Sequence, residues 1–154
     1  MNAKIEQLTP AEQDWIQQQV AIAKDFVHQI VGPIASDVPS PEDLDKAFYS
    51  WSHSVVHDTS QANDIINCTG AAFGQHIVNA TGLQWVIAVD EYGTELAVYG
   101  LPGAGDVLIY PQNLVAKRYE AKSGLFIAET LKKIIADVSK IQNQQQNKKW
   151  WKPW

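Results

Sequence analysis

The sequence predicts an α+β fold in which a three-stranded antiparallel meander packs against helices. Three observations predict this fold. Proline-opened capping motifs introduce amphipathic stretches before residue 83, short β-rich runs occupy residues 83–110, and a long helical pattern follows residue 124. With 154 residues, of which 45% are hydrophobic and 19% charged, the chain can bury its own core. We expect one α+β domain over residues 1–142 and a tail over residues 143–154.

The first helix is predicted to run from Thr9 to about Val31. Thr9 and Glu12 have the spacing of a capping box, and Pro10 occupies the first turn, where no amide donor is required. The apolar positions that follow recur every three or four residues and form one stripe. Its members are Ile16, Val20, Ala23, Val27 and Ile30.

A second helix is predicted from Ser40 to about Val56. Ser40 can cap it, Pro41 takes the first turn, and the acidic residues that follow suit the positive end of the helix dipole. We expect its core stripe to contain Leu44, Ala47, Phe48, Trp51 and Val55.

A third helix is predicted over about residues 61–80, with Gly82 as a left-handed cap. Gly70 and Gly74 lie inside this helix, where each costs up to about 1 kcal/mol relative to alanine. We therefore expect another helix or the sheet to approach the helix backbone closely at these glycines.

The predicted meander consists of three short β-rich runs separated by turns. The first strand, residues 83–90, has few polar interruptions, which is typical of a strand covered on both faces. Residues 96–99 and 107–110 supply the other two strands, and Gly93 lies in the first turn.

A long C-terminal helix is predicted after Ser123-Gly124. Its apolar residues alternate spacings of four and three, which is the pattern of a helix packed lengthwise against a neighbour. They are Ile127, Leu131, Ile134, Val138 and Ile141. We expect this seam to pack on the meander, and a homodimer through the seam is the alternative.

Composition and charge exclude several classes of function. A formal net charge of −5 argues against general nucleic-acid binding, because phosphate affinity requires accumulated lysine and arginine. The sequence has no apolar run long enough for a transmembrane segment. Cys68 is the single cysteine, and the N-terminal residues lack the apolar run of a signal peptide, so we expect a cytoplasmic protein.

Five short segments carry a resemblance to a known family: Gly70–Gly74, Leu83–Val86, Asp90–Gly93, Tyr110-Pro111 and Lys117-Arg118. Over roughly residues 64–135 the chain resembles the bacterial family called domain of unknown function 3806. The resemblance implies a glycine-containing helix that leads into a tryptophan-containing strand, then a meander and a proline-opened segment that ends in basic residues. It implies no activity and no cofactor.

His53 and His57 are the candidate metal ligands. Their spacing of four residues on one helix allows two imidazoles to reach one ion. The intervening residues lack the carboxylate of a metalloprotease motif, and no third ligand has a recognised spacing. The third-ligand candidates are Asp58, His28 and His76. We interpret the pair as solvated histidines, predict no metal or other cofactor, and keep a metal-dependent enzyme or regulator as the alternative.

His76 projects onto the apolar side of the third helix. A lone histidine in such a position usually forms a hydrogen bond to a backbone carbonyl or a hydroxyl group, and we expect that here. Cys68 is the only nucleophile that could accompany His76 in acid–base chemistry, and no nearby residue orients such a pair.

The predicted partner-binding residues lie in two segments. Asp90, Glu91 and Tyr92 form a turn between two strands, and Trp150, Trp151 and Trp154 belong to the lysine-containing tail. Tryptophan is an effective anchor in protein interfaces and at bilayer surfaces. The tail can therefore pack on its own domain or a second copy, bind a partner, or contact a membrane.

From these observations we expect a protein-binding module without enzymatic activity. Within this class, small size and acidity favour a bacterial immunity or inhibitor protein that neutralises a toxin by occluding it. The partner is then another protein. A peripheral membrane adaptor that uses the tryptophan-rich tail is a further alternative.

Overall fold

The computed structural model describes residues 3–150, with side chains described through Gln146. This part of the chain contains five α-helices and a four-stranded sheet. The strands are β1 (Lys4–Glu6), β2 (Gln84–Asp90), β3 (Gly93–Gly100) and β4 (Val107–Ile109). The helices are α1 (Pro10–Ile30), α2 (Pro41–His53), α3 (Ala62–Thr81), α4 (Pro111–Glu120) and α5 (Ile127–Trp150), with a short 3-10 helix at Thr59–Gln61.

The sheet has the order β1-β2-β3-β4, and all its neighbouring strands are antiparallel. The α+β class is confirmed, and strands β2 to β4 form the predicted meander. The predicted count of three strands is wrong, because β1 pairs with residues 87–89 of β2 at the edge of the sheet. Three residues with one apolar side chain, Ile5, give no alternating pattern that could have predicted β1.

Helix α3 lies at the centre of the core. It packs against α1, α4 and α5 and contacts β2 and β3. Nine of its twenty residues are buried, including Phe73 and Ile77, so the helix is enclosed on more than one side. Gly82 ends it with φ of 77°, the predicted left-handed cap.

The two glycines inside α3 let α4 and β2 approach its backbone, as predicted. A Cβ atom at Gly70 would lie 2.7 Å from Cα of Gln112 in the first turn of α4. At Gly74 a Cβ atom would overlap the indole of Trp85 and lie 2.9 Å from Cγ of Pro111. Close packing of three elements therefore offsets the helix-propensity cost of these glycines.

Gly74→Ala should destabilise the fold by roughly 1–3 kcal/mol, because the added methyl group overpacks the contact with Trp85 and Pro111. This loss exceeds the gain of up to about 1 kcal/mol from better helix propensity. Urea unfolding measures the difference. Gly124→Ala is the matched control, since a Cβ atom there meets open space. Equal stability of the Gly74 variant and the wild type would contradict this account of the packing.

Helix α1 begins with the predicted capping box. The Thr9 hydroxyl accepts from the amide of Glu12, and the Glu12 carboxylate accepts from the amide of Thr9, at 3.2 and 2.8 Å. The predicted core stripe is confirmed at Ile16, Ala23 and Val27, which are buried. Its last member, Ile30, is exposed on the surface instead.

Helix α2 ends at His53, three residues before the predicted end, and Val55 is therefore fully exposed at 100% and not part of the core. At Ser54 the backbone adopts an extended conformation, which ends the helix. Val55 and Val56 are β-branched and favour helix weakly, and Asp58 then caps the 3-10 helix by accepting from the amide of Ser60 at 2.9 Å.

Helix α5 receives its N-terminal cap from another helix. The carboxylate of Asp45 in α2, 6% exposed, accepts from the backbone amides of Phe126, Ile127 and Ala128 at 2.9, 2.6 and 2.9 Å. Three of the amides that a helix start leaves unpaired are thus satisfied by one buried carboxylate. This contact fixes the start of α5 against α2.

The seam of α5 packs against α3 and α2, where the sequence predicted the meander. Ile127, Leu131 and Val138 are its buried members. The helix continues to Trp150, beyond the predicted end near Gln142, through the segment expected to fray. Glutamine and lysine are good helix formers, which favours this extension.

Asp45→Ala should destabilise the protein by about 3 kcal/mol, because it leaves three amides near the core without an acceptor. Asp45→Asn, which keeps one carbonyl acceptor, should lose less. Chemical denaturation followed by circular dichroism measures both. Asp137→Ala removes an exposed carboxylate from the middle of α5 and should stay within about 0.5 kcal/mol of wild type. A loss as small for the Asp45→Ala variant would refute the role of this cap.

Candidate functional site

An apolar groove lies where the C-terminal end of α1, the middle of α2 and the loop before α5 meet. Its volume is about 740 Å³. The groove is lined by Ile30, Val31, Lys46, Tyr49, Ser50, Gly124 and Leu125. We refer to this set of residues as the apolar groove.

The apolar groove gathers half of the exposed large apolar side chains of the described chain. Eight such side chains are exposed, and four of them line the groove: Ile30, Val31, Tyr49 and Leu125, with exposed fractions between 38% and 59%. Single exposed apolar side chains are normal on a protein surface, and interaction surfaces are enriched in apolar side chains that lie together.

Contacts within α2 and between α2 and the loop before α5 hold the groove in shape. The ring of Tyr49 stacks on the imidazole of His53, with centroids 4.1 Å apart and planes 21° apart. The Nε2 atom of His53 lies 3.3 Å from the carbonyl oxygen of Lys122, which joins α2 to the loop before α5. The Asp45 cap fixes the same loop immediately after Leu125. The groove is therefore preorganised.

Lys46 gives the groove its charge. Among the described side chains that line the groove, Lys46 is the charged one, and it is exposed on α2. An apolar segment that carries a carboxylate complements such a surface, because the carboxylate can pair with the ammonium group at the rim.

His53 and His57 do not share a helix face, because α2 ends at His53. Nδ1 of His57 lies 2.6 Å from the carbonyl oxygen of Ser54, and Nε2 lies 3.1 Å from the hydroxyl of Tyr119. His57 is half-buried and packs edge-on against Trp51, so only His53 fits the expectation of an exposed histidine. The part of the chain covered by the structure has no group of three His, Cys, Asp or Glu residues that could hold a metal ion.

His76 and Cys68 both lie on α3 and have structural contacts. Nε2 of His76 lies 2.6 Å from the carbonyl oxygen of Pro39, which confirms the expected hydrogen bond to a backbone carbonyl. Cys68 is fully buried, and burial raises the pKa of its thiol from 9.0 to about 11. The thiol therefore stays protonated and inaccessible at neutral pH.

Cys68 should react with Ellman's reagent at pH 8 at least about 100-fold more slowly in the native protein than in denaturant. As the single cysteine, it gives the entire signal. Because folding raises the pKa of this thiol, its contribution to stability is complete below pH 9 and disappears as the pH rises through about 11. Fast stoichiometric labelling of the native protein would show that the thiol is accessible.

The structure describes only one of the two predicted partner-binding segments in full. Asp90, Glu91 and Tyr92 lie at the β2–β3 turn, where the Asp90 carboxylate accepts from the Tyr92 amide at 2.8 Å and Tyr92 is 90% exposed. The side chain of Trp150 and the whole of Trp151 and Trp154 lie outside the described residues. The role of both segments in partner binding stays a prediction.

The groove was not predicted as a site. The helical pattern assigned Ile30 to the core, and Lys46 and Tyr49 lie outside the predicted core stripe of the second helix. The one available signal was Leu125, an apolar residue in a loop after glycine. Nothing local indicates that these residues, far apart in sequence, meet at one surface.

No helix within residues 3–150 is both long enough and apolar enough to cross a membrane.

Comparison with known proteins adds a family and a fold. The sequence model of a family described as domain of unknown function (DUF3806) matches residues 43–131, more than half of the chain. A solved structure from Bacteroides thetaiotaomicron VPI-5482 is similar, with a TM-score of 0.68 and 16% identity. The match covers 88% of this chain and 48% of the other, so this chain spans about half of that protein's length. A search of the curated proteins found no significant match.

Proposed function

We propose that this chain, a member of the DUF3806 family, is a protein-binding module whose apolar groove holds a segment of a partner protein. The observation that carries the proposal is the gathering of Ile30, Val31, Tyr49 and Leu125 on one preorganised surface. Completing the burial of such half-exposed side chains contributes on the order of 1 kcal/mol each.

The chemistry of the groove restricts the partner segment. Its apolar side chains would fill the space around Tyr49 and Leu125, and a carboxylate would pair with Lys46 at the rim. Tyrosine is one of the residue types that most often dominate the binding energy of protein interfaces. We therefore propose an apolar partner segment flanked by an acidic residue.

The immunity or inhibitor role is a narrower form of this proposal. It is supported by the net charge of −5, which suits a protein that associates with a basic toxin and covers the toxin's active surface. Asp90, Glu91 and Tyr92 are exposed and would supply further contacts. A cytoplasmic location belongs to the same proposal.

Leu125→Glu should weaken partner binding at least about 30-fold, because a carboxylate would enter the apolar groove and repel the acidic partner segment. Affinity capture from bacterial lysate with quantitative mass spectrometry identifies proteins retained by wild type and lost by the variant, and titration of the purified partner gives the affinity.

Val55→Glu is the matched control, since Val55 is apolar, fully exposed and outside the groove. It should leave the affinity unchanged. Equal affinity of the Leu125 variant and the wild type, or an equal loss in both variants, would contradict the proposal. Self-association that Leu125→Glu abolishes, measured by light scattering, would instead identify the occupant as a second copy of this chain.

A further inference from the structure

A second concave surface, the polar cleft, lies between the N-terminal parts of α1, α3 and α4 and strand β3. Its volume is about 480 Å³. Its polar lining consists of four side-chain amides and the carboxylate of Glu95, and the described lining includes no lysine, arginine or histidine. The remainder of the lining is aromatic or aliphatic: Trp15, Tyr110, Ile66, Leu96 and Ala116. The polar cleft shares no lining residue with the apolar groove.

The four amides of the polar cleft come from two helix starts. Asn63 and Asn67 are four residues apart and therefore share one face of α3, and Gln112 and Asn113 lie in the first turn of α4. Among the described residues, none of these amides forms a side-chain hydrogen bond. Their donors and acceptors can therefore bind a ligand.

Gln112 has a buried side-chain donor that lacks a hydrogen-bond partner among the described residues. Its side chain packs against Gly70, and its Nε2 atom is buried without a hydrogen-bond partner in the described structure. A buried amide donor without an acceptor costs about 1–3 kcal/mol. A ligand oxygen that draws this amide toward the polar cleft would remove the cost.

Two carboxylates give the polar cleft and its surroundings a negative charge. Glu95 lines the cleft, and the Asp90 carboxylate lies near enough to act on the same Tyr110 hydroxyl. Burial, then the charges of Asp90 and Glu95, raise the pKa of Tyr110. Neither carboxylate has a salt-bridge partner among the side chains described. An anionic ligand would be repelled, and a cation would be attracted.

We infer that the polar cleft binds an extended peptide segment that carries a lysine or arginine side chain. The amides of Asn63, Asn67 and Gln112 would pair with the peptide backbone, which offers both donors and carbonyl acceptors. Glu95 would pair with the cationic group, and the rings of Trp15 and Tyr110 would contact its methylene stem and charge. A neutral sugar has no positive charge with which to pair with the carboxylates of Glu95 and Asp90.

Isothermal titration with the peptide acetyl-KAKAK-amide tests this inference, with acetyl-QAQAQ-amide and acetyl-EAEAE-amide as matched probes. The basic peptide should bind at least about tenfold more tightly than either, and its affinity should fall by about tenfold at high salt. Arginine as a free amino acid should bind more weakly than the peptide, because it lacks the neighbouring peptide groups.

Variants distinguish binding in the polar cleft from attraction by the net charge of the protein. Glu95→Gln should lower the affinity for the basic peptide by about tenfold, and Asn67→Ala should lower the affinity for all three peptides. Glu129→Gln changes the net charge equally but lies on α5, outside the cleft, and should leave the affinity within about twofold. Leu125→Glu, in the apolar groove, should also leave it unchanged, so failure of this inference is distinguishable from failure of the proposed groove.

Four results would overturn the inference: no binding of the basic peptide, equal binding of all three peptides, equal affinity of the Glu95 and Glu129 variants, or free arginine binding as tightly as the peptide. Binding of mannose or glucose in preference to the basic peptide would assign the polar cleft to a neutral sugar instead. Circular dichroism of each variant establishes that it is folded.

Discussion

The hydrogen bonds from the first turn of α5 to the carboxylate of Asp45 determine how the C-terminal third of the fold is placed. They set the start of α5 against α2, and the loop that carries Leu125 enters this start directly. The seam of α5 can then pack on α3 and α2. Without a local capping residue, the helix depends on this distant carboxylate for its first turn.

The two concave surfaces are built from the same few contacts. Gly70 and Gly74 bring α4 onto α3, which places the amide of Gln112 beside those of the α3 face and so forms the polar cleft. The Asp45 cap and the stacking of Tyr49 on His53 form the apolar groove. One surface is apolar with a basic rim, and the other is polar and acidic, so the two suit partner segments of opposite charge.

Local signals in the sequence predicted most of the elements. The capping box at Thr9, the serine cap at Ser40 and the left-handed Gly82 each act within a few residues, so the sequence shows them directly. Strand β1, the cap of α5 and the apolar groove depend on residues distant in sequence. The groove side chains read locally as unrelated positions, Ile30 as part of a helix core stripe and Leu125 as a loop residue, and only tertiary packing makes them one surface.

The Asp45 cap joins residues 81 to 83 positions apart. Closing a loop of that length in an otherwise unfolded chain costs about 4 kcal/mol of chain entropy, so we expect these hydrogen bonds to form after α2 has packed on α3. When these hydrogen bonds break, the first turn of α5 and the loop that carries Leu125 lose their attachment to α2. A nascent or partly opened chain therefore lacks the complete apolar groove, and only the finished fold presents it to a partner.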